Sequence, residues 1–149
     1  MAQKGLNSEI VIKAAAELIE KEGRETFSMR LLADFLGIKT ASLYNHVESM
    51  DGLIAEICRY ALRLQKETEM QTIEGKHGED AVRLLADAYR SFAKKHRELY
   101  WLIMNTAARD NRVLDDAATL FTDPLKKMLE DFHLSEEKSI HYRRLFRAI

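Results

Sequence analysis

LLADFLGIKTASLYNHV, residues 31–47, is the stretch on which the reading of this chain turns. Gly37 follows Ala33 by four positions, and a short segment carrying Thr40, Ser42, Tyr44, Asn45 and His46 comes next. The glycine offers the left-handed turn that ends one helix, with Leu36 and Ile38 placed to seal that turn from below. Leu43 and Val47 are four apart and share a face of the following helix. At about 100° per residue, Ala41, Ser42, Tyr44 and Asn45 then point outward. A helix that merely packs carries Glu and Lys on such a face. Here no acidic residue occurs from Leu36 to Val47, so the face suits contact with something negatively charged.

Working outward, helix signals follow one another with few interruptions. Ser8 is placed to cap a first helix with an apolar stripe of Val11, Ala14, Ala15, Leu18 and Ile19, and Gly23 stops it. Ser28 caps a second helix through Phe35, and a third is expected from about Lys39 to His46. Ser49 opens a long fourth helix with Leu53, Ile54, Ile57, Cys58, Ala61 and Leu62 on one face. The polar stretch TIEGKHGED, residues 72–80, is the clearest linker. Beyond it, Ala81, Leu84, Leu85, Ala88, Tyr89 and Phe92 mark a fifth helix, and RELYWLIMNTA, residues 97–107, reads as a buried sixth. A seventh starts near Asp110; Pro124 is expected to kink or divide it, with Asp123 capping the second piece. Ser135, Glu136 and Glu137 start an eighth, whose apolar positions Tyr142, Leu145, Phe146 and Ile149 run to the last residue. No stop signal follows, so more chain is expected beyond Ile149.

The totals agree with an all-α reading. One Pro and six Gly among 149 residues leave few helix breakers, and 46% hydrophobic with 32% charged residues is the balance of an ordinary soluble globular chain. The longest apolar run, Leu99 to Met104, has six residues, too few to span a membrane. The amino end lacks the apolar core of a signal peptide. Cys58 is the only cysteine, which excludes a disulfide framework and a cysteine-based metal cluster. A cytoplasmic location is expected, with no membrane partner. The formal net charge is −1, and residues 1–50 hold six basic side chains against seven acidic ones. A basic surplus therefore cannot carry a nucleic-acid reading; the arrangement of the charges must.

That arrangement has the outline of a helix-turn-helix, in which one helix braces and the next is offered to the major groove of DNA. Ala33 is small where the two helices would cross. Ala41 and Ser42 let the backbone approach a duplex, and Thr40 and Ser42 hydroxyls can hold phosphate. Asn45 suits a paired hydrogen bond to adenine and Arg30 one to guanine. Tyr44 and His46 reach toward phosphate oxygens, and Lys39 adds charge. An ordinary helical hairpin explains the same pattern without DNA, and residues alone leave both readings open.

The segment FSMRLLADFLGIKTASLYNHVESMDGLIAEI, within a match over residues 8–58, resembles the DNA-binding domain of the TetR family of transcriptional regulators. The resemblance implies an all-α homodimer that binds a palindromic double-stranded operator and lets it go when a small-molecule effector fills a second domain. It places DNA contacts on Ser28, Met29 and Arg30 in the brace helix, and on Thr40, Ala41, Ser42, Tyr44, Asn45 and His46 in the recognition helix. It divides the chain into a three-helix DNA-binding domain, residues 1–48, and an effector-binding and dimerisation domain, residues 49–149. One departure stands out. Met50 occupies a position where the family usually has a phosphate-anchoring lysine, so weaker electrostatic binding and a shallow salt dependence are expected unless Lys39 substitutes.

From Gly78 onward the chain is similar to the effector domain of one TetR subgroup, most clearly in AYRSFAKKHRELYWLI, residues 88–103. Tyr89, Phe92, Tyr100, Trp101, Met104 and Phe121 form a candidate aromatic ligand pocket; each of them also suits a plain core position. No charged pair stands out as a ligand anchor. Lys138, Arg143, Arg144 and Arg147 flank the last apolar stripe, which reads either as a solvated basic face or as half of a dimer interface. Catalysis is not expected. His46, His77, His96, His133 and His141 are scattered, without a metalloprotease histidine pair, a phosphate-cradling loop or a nucleophile elbow. No metal or cofactor is expected either. The rival to a DNA-binding regulator is a helical adaptor that binds another protein through the same outward helix.

Overall fold

The computed structural model describes residues 5–147, with side chains through Arg144. The side chains of Leu145, Phe146 and Arg147, and all of Ile149, lie outside the described residues. Among those described there are eight α-helices and no strand. Among the described residues no helix is long and apolar enough to cross a membrane.

Helix α1 runs Ser8–Glu22 and α2 runs Met29–Leu36. The cap of α1 is Asn7 rather than Ser8: its side-chain oxygen accepts from the Ile10 amide at 2.8 Å. Both residue types cap well; Ser8 instead donates its hydroxyl to the His46 carbonyl at 3.2 Å, which ties the start of α1 to the end of the reading segment. Ser28 caps α2 through the Leu31 amide at 3.1 Å. Gly37 closes α2 at φ 67° and ψ 30°, and the Ile38 amide reaches back to the Ala33 carbonyl at 3.0 Å. Only a residue without Cβ adopts that backbone at low cost.

Helix α3 is shorter than its sequence pattern predicts. It covers Thr40–Leu43, and Tyr44 to His46 continue as turns. The bonds there are tighter than α-helical, Asn45 N–H to the Ser42 carbonyl at 3.3 Å and His46 N–H to the Leu43 carbonyl at 2.8 Å. The chain must unwind within a few residues to bury Val47 and then extend at Ser49, which caps α4 through the Gly52 amide at 3.0 Å. Helix α4, Met50–Ile73, is 24 residues long and so spans about 36 Å.

The remaining helices are α5, Gly78–Lys95; α6, Arg97–Ala107; α7, Asn111–Leu129; and α8, Glu136–Arg147, with a 3-10 turn at Glu130–Phe132 between the last two. Helix α4 is the axle: α1, α5, α6 and α7 all pack on it. Pro124 neither divides α7 nor needs a new cap. It is buried inside an unbroken helix, and Asp123 ion-pairs with Lys66 of α4 instead. A proline removes one amide donor; with α7 clamped against α4, α5 and α6, that single loss does not break it. Ser135 takes the expected place before α8, accepting from the Lys138 amide at 3.4 Å.

The buried apolar side chains form two clusters. The larger runs from the α1–α3 head down α4 to Leu64, and includes Phe92, Leu99, Ile103, Val113 and, at its edge, Phe121. The smaller holds Ile73, Ala81, Leu85, Met128 and Leu129, with Met70 and Leu125 at its edge.

Candidate nucleic-acid interface

The reading segment is held by very little. Leu43 is fully buried, Val47 nearly so, and Ala33 of α2 packs beneath them, with Leu36 and Ile38 partly covered at the turn. Everything else on α3 and its turn faces outward to some degree. Lys39, Ala41, Tyr44 and Asn45 are exposed, Tyr44 to 55%, while Thr40, Ser42 and His46 are half-buried. The side chains of Lys39, Thr40, Ser42, Tyr44, Asn45 and His46 make no hydrogen bond or ion pair with the described residues. Six polar groups thus stand uncommitted on one acid-free surface, and the backbone around them is fixed by Gly37 and Leu43.

The brace helix contributes less. Arg30 is exposed and restrained only by a 4.0 Å approach to Asp34, which leaves its guanidinium available. Ser28 already holds the Leu31 amide. Met29 is 8% exposed and belongs to the core, so its side chain faces the helical bundle and not the surface. Met50 is half-buried against the same core at the start of α4.

The six aromatic and apolar residues of the candidate pocket do not converge. Tyr89 and Tyr100 share a hydroxyl hydrogen bond of 2.8 Å and pack edge to face at 6.0 Å, with Phe121 6.2 Å from Tyr89. Phe92 lies against His96 at 4.8 Å and lines a separate open groove of roughly 330 Å³ with Thr68, Thr72 and Ala88. Trp101, 43% exposed, and Met104 are on the outer side of α6.

Two buried groups escaped the sequence reading. Gln65 and Glu69 of α4 are 1% and 4% exposed, and Gln65 Nε2 donates to Glu69 Oε1 at 2.8 Å. Burial pushes the Glu69 carboxyl up to about 7, against the opposing pull of that hydrogen bond. Burial first, then the Tyr100 hydroxyl and the Glu69 charge, also push Tyr89 upward. Positions 58, 61, 62, 65, 69 and 73 continue one helical stripe, so periodicity alone marks 65 and 69 as inward. For Glu69 the sign is clear. Folding favours its neutral form, so its contribution is complete below about pH 4.5 and is lost as pH rises through about 7. The melting temperature is therefore expected to fall from about pH 5 to pH 8 more steeply in the native chain than in Glu69→Gln, measured by circular dichroism. Equal slopes mean that Glu69 is not buried as a neutral acid.

Head and second half are also latched to each other. Glu20 of α1 accepts from the Leu99 amide at 3.0 Å, capping α6 across the fold. Arg24, just after α1, bonds Glu98 with both its amide, at 3.2 Å, and its guanidinium, at 2.8 Å. The same guanidinium lies 4.0 Å over the Trp101 ring. Those Arg24 hydrogen bonds hold the Glu98 carboxyl below its usual range.

Residues 11–57 match the family model described as bacterial regulatory proteins, tetR family, and residues 82–149 match a tetracyclin repressor-like C-terminal domain. An uncharacterized HTH-type transcriptional regulator of Bacillus subtilis is 28% identical over 147 residues, covering 97% of this chain and 75% of that one. Another, of Mycobacterium tuberculosis, is 34% identical over 100 residues, covering 64% of this chain and 44% of its own length. A Rhodococcus protein of unknown function has the same fold, with a TM-score of 0.71 at 22% identity, over 85% of this chain and 69% of that one. A possible TetR family regulator from Streptomyces coelicolor matches with a TM-score of 0.63 at 18% identity, over 92% and 64%.

Proposed function

This chain belongs to the TetR family of bacterial transcriptional regulators, and from that premise we propose that it is a homodimeric repressor that binds a palindromic operator through α3 and releases it when a small molecule enters the second domain. The observation that carries the DNA-binding part is the uncommitted polar face of residues 39–46. A packing helix satisfies its polar groups locally or offers them to water with both signs of charge. This one presents hydroxyl, amide, imidazole and ammonium groups and no carboxylate, the set that phosphates and base edges accept.

Release follows from the way the head is held. DNA requires half-sites about 34–36 Å apart, so a change of a few ångströms in head spacing disfavours binding. The head meets the second half along α4 and through the Glu20, Arg24, Glu98 and Trp101 latch onto α6. An effector that prefers one setting of α6 against α4 shifts the heads through these contacts, and operator DNA must shift effector affinity by the same factor.

Selection of bound DNA from a random pool, followed by a mobility shift with excess competitor, tests this reading. Recovery of one palindrome supports it. The near-neutral head is the observation that favours the adaptor, and failure to retain any sequence over competitor sustains that alternative. Within a recovered operator, Asn45→Ala is expected to relax base preference at one position at a cost of about 1–3 kcal/mol. Lys39→Ala is expected to weaken all sequences alike and to lower the salt slope by about 1. If both variants bind as the native chain does, α3 is not the reading element.

A further inference from the structure

An open groove between α4 and α5 has a volume of roughly 330 Å³, within the range of small-molecule sites. Leu84, Ala88 and Phe92 recur on one face of α5 and make up its apolar length. On the α4 side, Thr68 and Thr72 donate their hydroxyl protons to the carbonyls one turn back, at 2.8 and 2.7 Å. Neither threonine has a proton left for a ligand. Asp87 also lines the groove, and Arg90 of the same helix answers its charge.

The uncommitted polar groups gather at one end. Ser91, Lys95 and His96 line the groove at the end of α5 and the corner that follows. Among the described residues, none of these three side chains has a hydrogen bond or an ion pair. Lys94 and Lys95 both suit the negative end of α5, but only Lys95 lines the groove. His96 is half-buried, with its ring 4.8 Å from that of Phe92. Burial pushes the imidazole below its ordinary value, so near neutral pH it offers one N–H and no charge. Asp87 lies eight positions before Lys95, about 12 Å back along the helix. This end therefore combines three donors with one positive charge.

The same end adjoins the contacts that hold the head. His96 joins α5 to α6, and the residues just beyond it meet the head: Glu98 takes Arg24, and the Leu99 amide takes Glu20. The Glu20 charge also reaches the His96 ring.

We propose that this groove is the effector site and that the effector is an amphipathic monocarboxylate, its chain along Leu84, Ala88 and Phe92 and its head at Ser91, Lys95 and His96. The assignment rests on the proposed effector-responsive function. A carboxylate accepts from all three groups and neutralises the one cation. An amine brings a like charge to Lys95, and an alcohol leaves the ammonium without an anion. A phosphate carries a second charge that one lysine does not answer, and among the described residues no arginine lines the groove to take it in two bonds. Filling the site also brings a negative charge toward Glu20. Repulsion weakens the hold of Glu20 on the Leu99 amide and loosens the head from α6. By linkage, operator-bound protein takes the acid less tightly.

Calorimetric titration of the full chain at neutral pH with octanoate, octylamine and octanol tests the assignment. Octanoate is expected to bind, octylamine not to bind, and octanol to bind at least about tenfold more weakly than the acid. Lys95→Met removes the charge at an exposed position and keeps most of the side-chain length. It is expected to lower octanoate affinity by about tenfold or more, with octanol affinity and melting temperature unchanged. Equal affinity for the three probes, undiminished octanoate affinity in Lys95→Met, or no octanoate binding overturns the assignment. The two readings fail separately. Lys95-dependent octanoate binding that leaves operator affinity unchanged upholds the carboxylate site and overturns its part in release. Operator release by a compound that acts equally on Lys95→Met keeps the release mechanism and overturns this site.

Discussion

Ala41→Glu is expected to lower affinity for the selected operator by about 100-fold or more, with helix content and melting temperature unchanged. Ala41 is exposed on α3, so a longer side chain there can extend into solvent. Glutamate is a good helix former, and an acidic residue in a first helical turn is favoured by the helix dipole, so the fold tolerates it. At the duplex the outcome reverses. A carboxylate introduced where the backbone must approach phosphates adds like-charge repulsion worth several kcal/mol and blocks close approach. The measurement is a mobility-shift titration beside a thermal melt of the same preparation. Undiminished binding by this variant would mean that α3 does not enter the groove, whatever else the head does.

Leu43→Ala carries the second large effect, and it acts on the fold. Leu43 is fully buried, and with Val47 it is all that anchors α3 to the core. Four residues make an unstable helix alone, so α3 exists because Leu43 is packed, and the turns that follow bond back to its carbonyl through the His46 and Val47 amides. Truncating a buried leucine costs about 2–5 kcal/mol through lost transfer energy and the cavity left behind. Against a typical total of about 5–15 kcal/mol, that unfolds part of the population at growth temperature. Urea unfolding followed by circular dichroism is expected to show a lower midpoint with an unchanged slope. Operator affinity falls with it, because the presented face loses its support. A stability change below about 0.5 kcal/mol would contradict the packing of α3 against α2.

Helix ends were the most legible part of this chain, because caps and turn glycines act within a few residues of themselves. Ser28, Ser49, Gly23 and Gly37 all stand where local chemistry puts them. The misplacements have equally local causes. Asn7 and Ser8 are adjacent and nearly equal as caps, and the choice depends on Ser8 reaching the His46 carbonyl 38 residues away. Pro124 signals a break in any isolated helix, yet α7, packed against its neighbours in the bundle, continues through it as one helix. At the interface the helical wheel pointed Ala41, Ser42, Tyr44 and Asn45 outward; Ala41, Tyr44 and Asn45 are exposed, whereas Ser42 is half-buried. It did not distinguish Met29, which the docking of α2 turns into the core. Helix α6 was unreadable by face, since Leu99 to Met104 is apolar all round and periodicity selects no side. Gln65 and Glu69 were the opposite case. Their period was plain, and their polarity concealed that they are buried.

By itself, then, the order of amino acids determined the number and type of helices, most of their ends, and a short acid-free rod presented outward after Gly37. Those properties depend on neighbours within about one or two helical turns, where the chain's own geometry decides the outcome. Tertiary structure alone decided that Arg24 would meet Glu98, 74 residues away, that Tyr89 would find Tyr100, and that the Glu69 carboxyl would be sealed from water beside Gln65. Periodicity defines a face only relative to a helix's own axis. What that face touches, and how far its charges are stripped of water, is set when the helices dock.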